Sequence, residues 1–203
     1  MSTSIVNYST LQTALANWLH RSDLTTIVPD LIALAEMQLS VDLDTRWQWA
    51  QTALTTTASS QILTLPSDIL AIKRLTALGN VNSVLVYMPP EAFDATYNGN
   101  DTGMPEAFTM LGMTASLGPI PDAVYSVNCL YKQKIPALSA TSPTNWLVTA
   151  FPNLYLWGAI LSAQIYLQND ERMPLIVDLY SKAVAQMNDI EWNRGGSLSM
   201  VVQ

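Results

Sequence analysis

The fold is decided by the stretch from Gly112 to Arg172, which reads GMTASLGPIPDAVYSVNCLYKQKIPALSATSPTNWLVTAFPNLYLWGAILSAQIYLQNDER. A short strand-like segment and a Pro-x-Pro turn come first, and an alternating run over Val124–Gln133 follows. No residue from Ile135 to Asn169 carries a charge. The pattern predicts a strand that leads into a buried helix, and the missing charge indicates that this helix packs against a partner surface.

The same uncharged stretch is long enough to raise the question of a membrane span, since a span needs about 20 apolar residues. Pro136, Pro143 and Pro152 interrupt it, and its flanks lack the Lys and Arg bias of membrane proteins. A helix packed among proteins, with no membrane contact, is therefore predicted. A peripheral membrane or ejection protein that uses residues 146–168 stays open as an alternative.

Residues 1–50 are predicted to form a pair of helices. The first helix covers residues 8–20, with Ser9 or Thr10 as its N-cap, and the short link His20–Ser22 leads to the second. The apolar stripe of the second helix is formed by Ile27, Leu31, Leu34, Leu39 and Leu43. The two helices are therefore expected to form an α-hairpin.

Residues 51–135 are predicted to form an antiparallel β-rich layer with a short helix over 90–97. Within it, Gln51–Ala58 and Gln61–Leu65 are expected to pair across Ser59-Ser60. A meander is predicted for three later segments, Glu106–Leu111, Met113–Leu117 and Val124–Gln133. Alternation along the third of these predicts a buried face made of Tyr125, Val127, Cys129 and Tyr131.

Residues 136–194 are predicted to hold two further helices, Trp146–Gln168 and Glu171–Trp192, before an apolar tail over 195–203. The inner face of the second is expected to carry Leu175, Leu179, Val184 and Met187. The order of elements predicts an α+β fold. Its N-terminal and C-terminal helix pairs pack as a helical bundle, with the antiparallel β-rich layer inserted, in one structural unit.

The composition favours a protein that functions as part of an assembly. Only 12% of the residues are charged, while six Trp and nine Met are present, which favours an obligate oligomer or a tightly held subunit. The net charge of −7 argues against a general nucleic-acid binder, because phosphate binding draws on clustered Lys and Arg. An acidic surface instead suits DNA that passes without sticking.

Residue types that carry chemistry are scarce. His20 and Cys129 are the only histidine and the only cysteine, so no internal disulfide and no Cys-based metal site can form. No nucleophile elbow, phosphate-binding glycine loop or zinc-protease motif occurs, and we expect no enzyme activity, metal or cofactor. Paired carboxylates keep one alternative open, a virion-associated peptidoglycan hydrolase. The pairs are Asp42 with Asp44, Asp170 with Glu171, and Asp189 with Glu191.

An ordered series of short motifs carries a resemblance. The series begins with Leu65-Pro66-Ser67-Asp68, Ile72-Lys73-Arg74-Leu75, Pro89-Pro90-Glu91-x-Phe93 and Gly118-Pro119-x-Pro121. Its strongest part is Pro136-x-Leu138-Ser139, Thr144-Asn145-Trp146-Leu147, Pro152-x-Leu154-Tyr155-x-x-Gly158-Ala159 and Asn169-Asp170-Glu171-Arg172. In this order the chain resembles the head-to-tail adaptor (connector) proteins of tailed bacteriophages, of the short-tailed type, over roughly residues 8–190.

The resemblance implies a structural virion protein at the junction of capsid and tail, assembled in the host cytoplasm. Such adaptors form a homo-oligomeric ring, expected to be a dodecamer, beneath the portal protein. The ring extends the DNA channel, lets the genomic DNA pass without specific binding, and anchors the tail nozzle, tube or tail fibre proteins. The helical layer is expected to build the ring and the β-layer to face the tail.

The resemblance also suggests which residues meet these partners. In related connectors the C-terminal segment docks on the portal, and we expect this of Ile190, Trp192, Leu198, Met200, Val201 and Val202. Aromatic side chains are enriched at protein interfaces. On that ground the contacts between subunits are expected at Trp146, Phe151, Tyr155, Trp157 and Tyr166.

Overall fold

The computed structural model describes residues 4–20, 23–79, 81–99, 101–165 and 171–194, with the backbone alone at 165 and 190–194. The chain divides into two compact units. The first, here called the helical unit, combines Met1–Gln48 with Ile135–Gln203, and the second, the β unit, is Trp49–Lys134. Helices and largely antiparallel sheets confirm the predicted α+β class.

Six α-helices follow one another along the described chain. They are α1 (Tyr8–Leu19), α2 (Val28–Asp42), α3 (Pro90–Thr96), α4 (Trp146–Ala150), α5 (Pro152–Ser162) and α6 (Met173–Arg194). Short 3-10 turns occur at Arg46–Gln48 and Ala163–Ile165. All but α3 belong to the helical unit, where α5 packs against α1, α2 and α6 around one apolar core. The predicted bundle of N-terminal and C-terminal helices is therefore confirmed.

The first helix is capped one turn earlier than the sequence suggested. Asn7 is the N-cap, and its side chain accepts a hydrogen bond of 2.9 Å from the Thr10 N–H. The Thr10 hydroxyl in turn accepts from the Asn7 N–H at 3.0 Å, which completes a capping box. The predicted caps Ser9 and Thr10 were wrong because Thr10 acts from the third helical position.

The predicted helix Trp146–Gln168 is broken near its start. The helix α4 ends at Ala150 and α5 begins at Pro152, with Phe151 between them at φ −139° and ψ 60°. A single continuous helix was the wrong prediction because proline has no N–H to donate and clashes with the preceding turn, so it begins a new helix instead. Residues beyond Ile165 in this prediction lie outside the described part of the chain.

Two leucines expected inside the bundle lie at its surface. Leu34 of α2 and Leu175 of α6 are 50% and 60% exposed. On α6 the buried positions include Ile176, Tyr180 and Met187. Met187 was predicted correctly, whereas Ile176 and Tyr180 each lie one residue away from the predicted stripe, because neighbouring apolar residues fit two stripes equally well.

The described residues of the β unit form ten strands. They are β1 (Trp49–Thr55), β2 (Ile62–Thr64), β3 (Ile69–Leu78), β4 (Ser83–Val84), β5 (Val86–Tyr87), β6 (Thr102–Gly103), β7 (Ala107–Leu111), β8 (Thr114–Gly118), β9 (Ile120–Pro121) and β10 (Ser126–Gln133). One sheet has the order β1-β10-β3-β4 and another β2-β8-β7-β5, while β6 and β9 form a small third sheet. Pairing is antiparallel except in β5–β7 and β6–β9. Residues of both large sheets share one apolar core.

Two strand pairings predicted from neighbouring segments were wrong. The strand β1 pairs with β10, and β2 pairs with β8, so no hairpin forms across Ser59-Ser60. Ser59 has φ +63°, and its N–H donates to the Pro121 carbonyl oxygen at 2.8 Å, which ties the link to another loop. The predicted meander also stops after β8, because β10 crosses to the other sheet to lie between β1 and β3.

The buried face of β10 was predicted correctly. Val127, Cys129 and Tyr131 point into the shared core, and Tyr125 is half-buried. Burial raises the pKa of the Cys129 thiol to about 11, so this cysteine is a small apolar core residue at neutral pH.

Candidate interaction surfaces

The described residues contain no group of His, Cys, Asp and Glu side chains that could hold a metal ion. Within the same ranges, no helix has the length and apolar character needed to cross a membrane.

Glu36 is the buried carboxylate of the described helical unit. It lies on α2, and its Oε1 accepts hydrogen bonds from the Leu138 N–H at 2.8 Å and from the Tyr155 hydroxyl at 3.0 Å. Burial raises the pKa of this carboxyl, and the two hydrogen bonds oppose that shift. Burial also raises the pKa of Tyr155, so its hydroxyl keeps the proton that it donates.

Asn145 extends this polar network to the start of α4. Its side-chain amide donates to the Tyr155 hydroxyl oxygen and to the Pro136 carbonyl oxygen, each at 2.6 Å. Its Oδ1 accepts from the Val148 N–H at 2.9 Å and so caps α4. The bonds fasten the non-helical start of the uncharged stretch to the bundle, which is a structural role.

Two tryptophan pairs lie at the surface of the helical unit. Trp157 of α5 meets Trp18 of α1 edge-on, with ring centroids 5.1 Å apart. Trp146 of α4 stacks on Trp47 at 5.8 Å. Trp18 and Trp47 are about half exposed, and neither is among the residues predicted for the subunit interface. Large amphipathic rings that remain open to solvent are typical of interface residues.

The other residues predicted for the subunit interface have different surroundings. Phe151 is half-buried and packs on the bundle core. Tyr155 is fully buried and hydrogen-bonded inside its own unit, so its side chain offers no surface to a neighbouring subunit, which corrects the expectation for this residue. Tyr166 lies outside the described residues.

The predicted portal-docking residues are mostly outside the described part of the chain. Ile190 and Trp192 fall in the last turns of α6, where the backbone alone is described. Leu198, Met200, Val201 and Val202 lie beyond the described residues.

An uncharged groove opens on the outside of the bundle over α5. Its volume is about 670 Å³, and Gly158, Leu161 and Ser162 line it from α5. Leu34 and Gln38 line it from α2, Val177 and Tyr180 from α6, and Gln164 from the following turn. Sequence reasoning missed this groove because it placed Leu34 inside the core. The signal was the second apolar stripe of α2, formed by Leu34, Met37 and Val41.

A comparison with protein families identifies the family of this chain. The model of the family described as SU10 adaptor protein matches residues 6–201. The chain belongs to the SU10 adaptor family. The resemblance to phage head-to-tail adaptors is thereby confirmed, and membership gives the chain a structural adaptor role in a bacteriophage virion, in association with portal and tail proteins. No curated protein matches the sequence.

Proposed function

We propose that this SU10 adaptor forms a ring between the capsid portal and the tail, extends the DNA channel, and anchors the tail nozzle or tube. The observation that carries the proposal is the family match over residues 6–201. Ring closure is heterologous, so that each subunit presents different faces to its two neighbours, and the ring is a dodecamer that follows the portal. The function is mechanical, with no bond made or broken.

The uncharged surface of the helical unit supports this proposal. The groove has no charged lining residues, and each of the two tryptophan pairs has one half-exposed ring, Trp18 or Trp47. Contact of these apolar surfaces with water is unfavourable, and a neighbouring subunit would cover them. Trp146, Phe151 and Trp157 remain the proposed interface residues, and Trp18 and Trp47 join them through their ring contacts.

A charge placed in the groove tests the subunit contact. We expect Leu34→Glu to abolish ring formation on purified portals, because the carboxylate would have to be buried against the next subunit. Leu175→Glu is the matched control, since Leu175 is a similarly exposed leucine that does not line the groove. Both variants should keep the circular dichroism of the wild type. Equal ring formation by both would contradict the proposed contact.

The C-terminal segment is proposed to dock on the portal through Ile190, Trp192, Leu198, Met200, Val201 and Val202. Deletion of residues 195–203 should weaken binding to assembled portals and leave the unfolding transition unchanged. Surface plasmon resonance on immobilised portals measures the first, and thermal denaturation the second. An unchanged affinity for the portal would contradict this assignment.

A further inference from the structure

The outer edge of β1 carries backbone groups that are free to pair with another strand. In the described chain β1 is the terminal strand of its sheet and pairs with β10 alone. The Thr56 N–H donates to the Tyr125 carbonyl oxygen at 2.9 Å, and in an antiparallel pair alternate residues point the same way. The N–H and C=O groups directed away from β10 are therefore those of Trp49, Gln51, Ala53 and Thr55.

The opposite side of the sheet confirms this direction of the backbone groups. The Leu85 N–H donates to the Leu75 carbonyl oxygen at 3.0 Å, so Leu75 points away from β10. Cys129 of β10 pairs with Leu75 on one side and Thr52 on the other, which turns Thr52 towards β10 and Gln51 and Ala53 outwards. Among the described residues, no hydrogen-bond partner exists for the outward groups of β1.

The edge lacks the features that keep sheet edges from pairing. The seven residues of β1 read WAQTALT, with no charge and no proline, and its register with β10 has no bulge. Sheet edges that do not pair with other chains usually carry lysine, proline or a bulge, which hinder the addition of a strand. At the other end of the same sheet β4 has two residues, and β3 carries register shifts opposite Leu130 and Lys132. On the side of β1 the sheet therefore has no hydrogen-bonded neighbour in the described chain, and β2 approaches β1 without pairing with it.

A positive charge is held above this open edge. Between the pairs Arg74 with Leu130 and Ile72 with Tyr131, β3 has one extra residue, Lys73. The Lys73 side chain reaches back across the sheet, and its Nζ lies 5.2 Å from the ring centre of Trp49. A strand added beside β1 would lie about 4.8 Å further out. An acidic side chain on its solvent face would then come within reach of the ammonium group.

We propose that the edge of β1 docks an extended segment of the tail-side partner protein, which adds to the sheet as a strand and places an acidic side chain near Lys73. The inference rests on the proposed function and on the expectation from the sequence that the β-layer faces the tail. A second copy that offers its own β1 fits the edge poorly. Pairing of β1 with β1 is two-fold and closed, whereas a ring needs heterologous contacts.

Amide hydrogen exchange at single-residue resolution tests the inference in the wild-type assembly. We expect Gln51, Ala53 and Thr55 to exchange fast in the free protein and in the portal-bound ring, and to slow at least about tenfold once tails attach. Thr52 and Leu54 should be slow in all three states and serve as internal controls. Fast exchange after tail attachment would overturn the inference. Protection that is already present in the portal-bound ring would overturn it too, because a neighbouring copy would then occupy the edge.

Variants of Ala53 provide a second test. Ala53→Pro removes an outward N–H, Ala53→Lys adds an edge charge, and Ala71→Lys is the control at an exposed alanine of β3. The Ala53 variants should form rings on portals but attach tails at least about tenfold less well, while Ala71→Lys behaves as wild type. If the proline variant fails to fold, the lysine variant decides.

The acidic partner group is tested at Lys73 itself. Lys73→Gln removes the charge above Trp49 and should weaken tail attachment, whereas Lys73→Arg keeps that charge and should restore attachment.

Normal tail attachment by both Ala53 variants would overturn the inference and leave the ring intact. Absence of a wild-type ring on the portal would instead remove the proposed function.

Discussion

The helical unit and the β unit satisfy their backbone polar groups in different ways. Helices pair their own backbone groups, and the irregular segment that follows the β unit is served by side chains of α2. Ser40 accepts from the Ile135 N–H and Glu36 from the Leu138 N–H. Strands need neighbours, and β1 has one neighbour where it could have two. The helical unit thus satisfies these backbone groups internally, whereas the β unit has an edge strand, β1, with one hydrogen-bonded neighbour.

Substitution of Glu36 should destabilise the helical unit. We expect Glu36→Ala to lower the free energy of unfolding by about 2–4 kcal/mol, since the Leu138 N–H and the Tyr155 hydroxyl would stay buried without an acceptor. Urea denaturation followed by circular dichroism measures the change. Met37→Ala is the control on the next residue of α2, because Met37 is 68% exposed and should change stability by less than about 0.5 kcal/mol. Equal effects of the two variants would contradict the role of the network.

Much of the helical unit was predictable, and the reason is local. The apolar stripe and the end signals of a helix lie within a few residues of each other in the sequence. The helices α1 and α2 and the bundle could therefore be inferred. The pairing of β1 with β10 joins segments more than 70 residues apart. No local signal distinguishes this pairing from a hairpin with β2. Glu36 was missed because a glutamate on a helix is ordinarily solvated, and only the tertiary structure shows its enclosed partners.

One glycine in each unit tests how tightly that unit is packed, because alanine adds a Cβ at its position. In the β unit a Cβ at Gly118 would lie 2.6 Å from the Tyr97 ring and 3.0 Å from the Phe93 ring. Gly118→Ala should therefore destabilise the protein by about 1–3 kcal/mol through overpacking. Thermal denaturation would show a lower midpoint.

The opposite sign is expected at the glycine of α5. A Cβ at Gly158 would lie 3.4 Å from Ala35 and 3.5 Å from Tyr180, which is ordinary contact. Gly158→Ala should raise stability by about 0.4–1 kcal/mol, because alanine loses less backbone entropy in a helix interior. A loss at Gly158 as large as that at Gly118 would show that α2, α5 and α6 are packed more tightly than these distances indicate.

The pH dependence of stability reports on Glu36 alone when two variants are compared. Burial raises the pKa of this carboxyl in the folded state above its ordinary value of 4.5. The folded protein therefore binds the proton more tightly than the unfolded chain, and this contribution to stability is present below about pH 4.5 and is lost as the pH rises through the raised pKa. The wild type should lose stability relative to Glu36→Gln over that window. A constant difference in urea midpoints across it would contradict the assignment.

Electron microscopy of the purified wild-type protein mixed with its portal tests the proposed ring most directly. We expect a closed ring stacked on the portal and coaxial with the DNA channel. A monomer in isolation is compatible with this, because the portal can template the ring. Portals that carry no ring after mixing would contradict the proposed function of the protein as a ring between portal and tail.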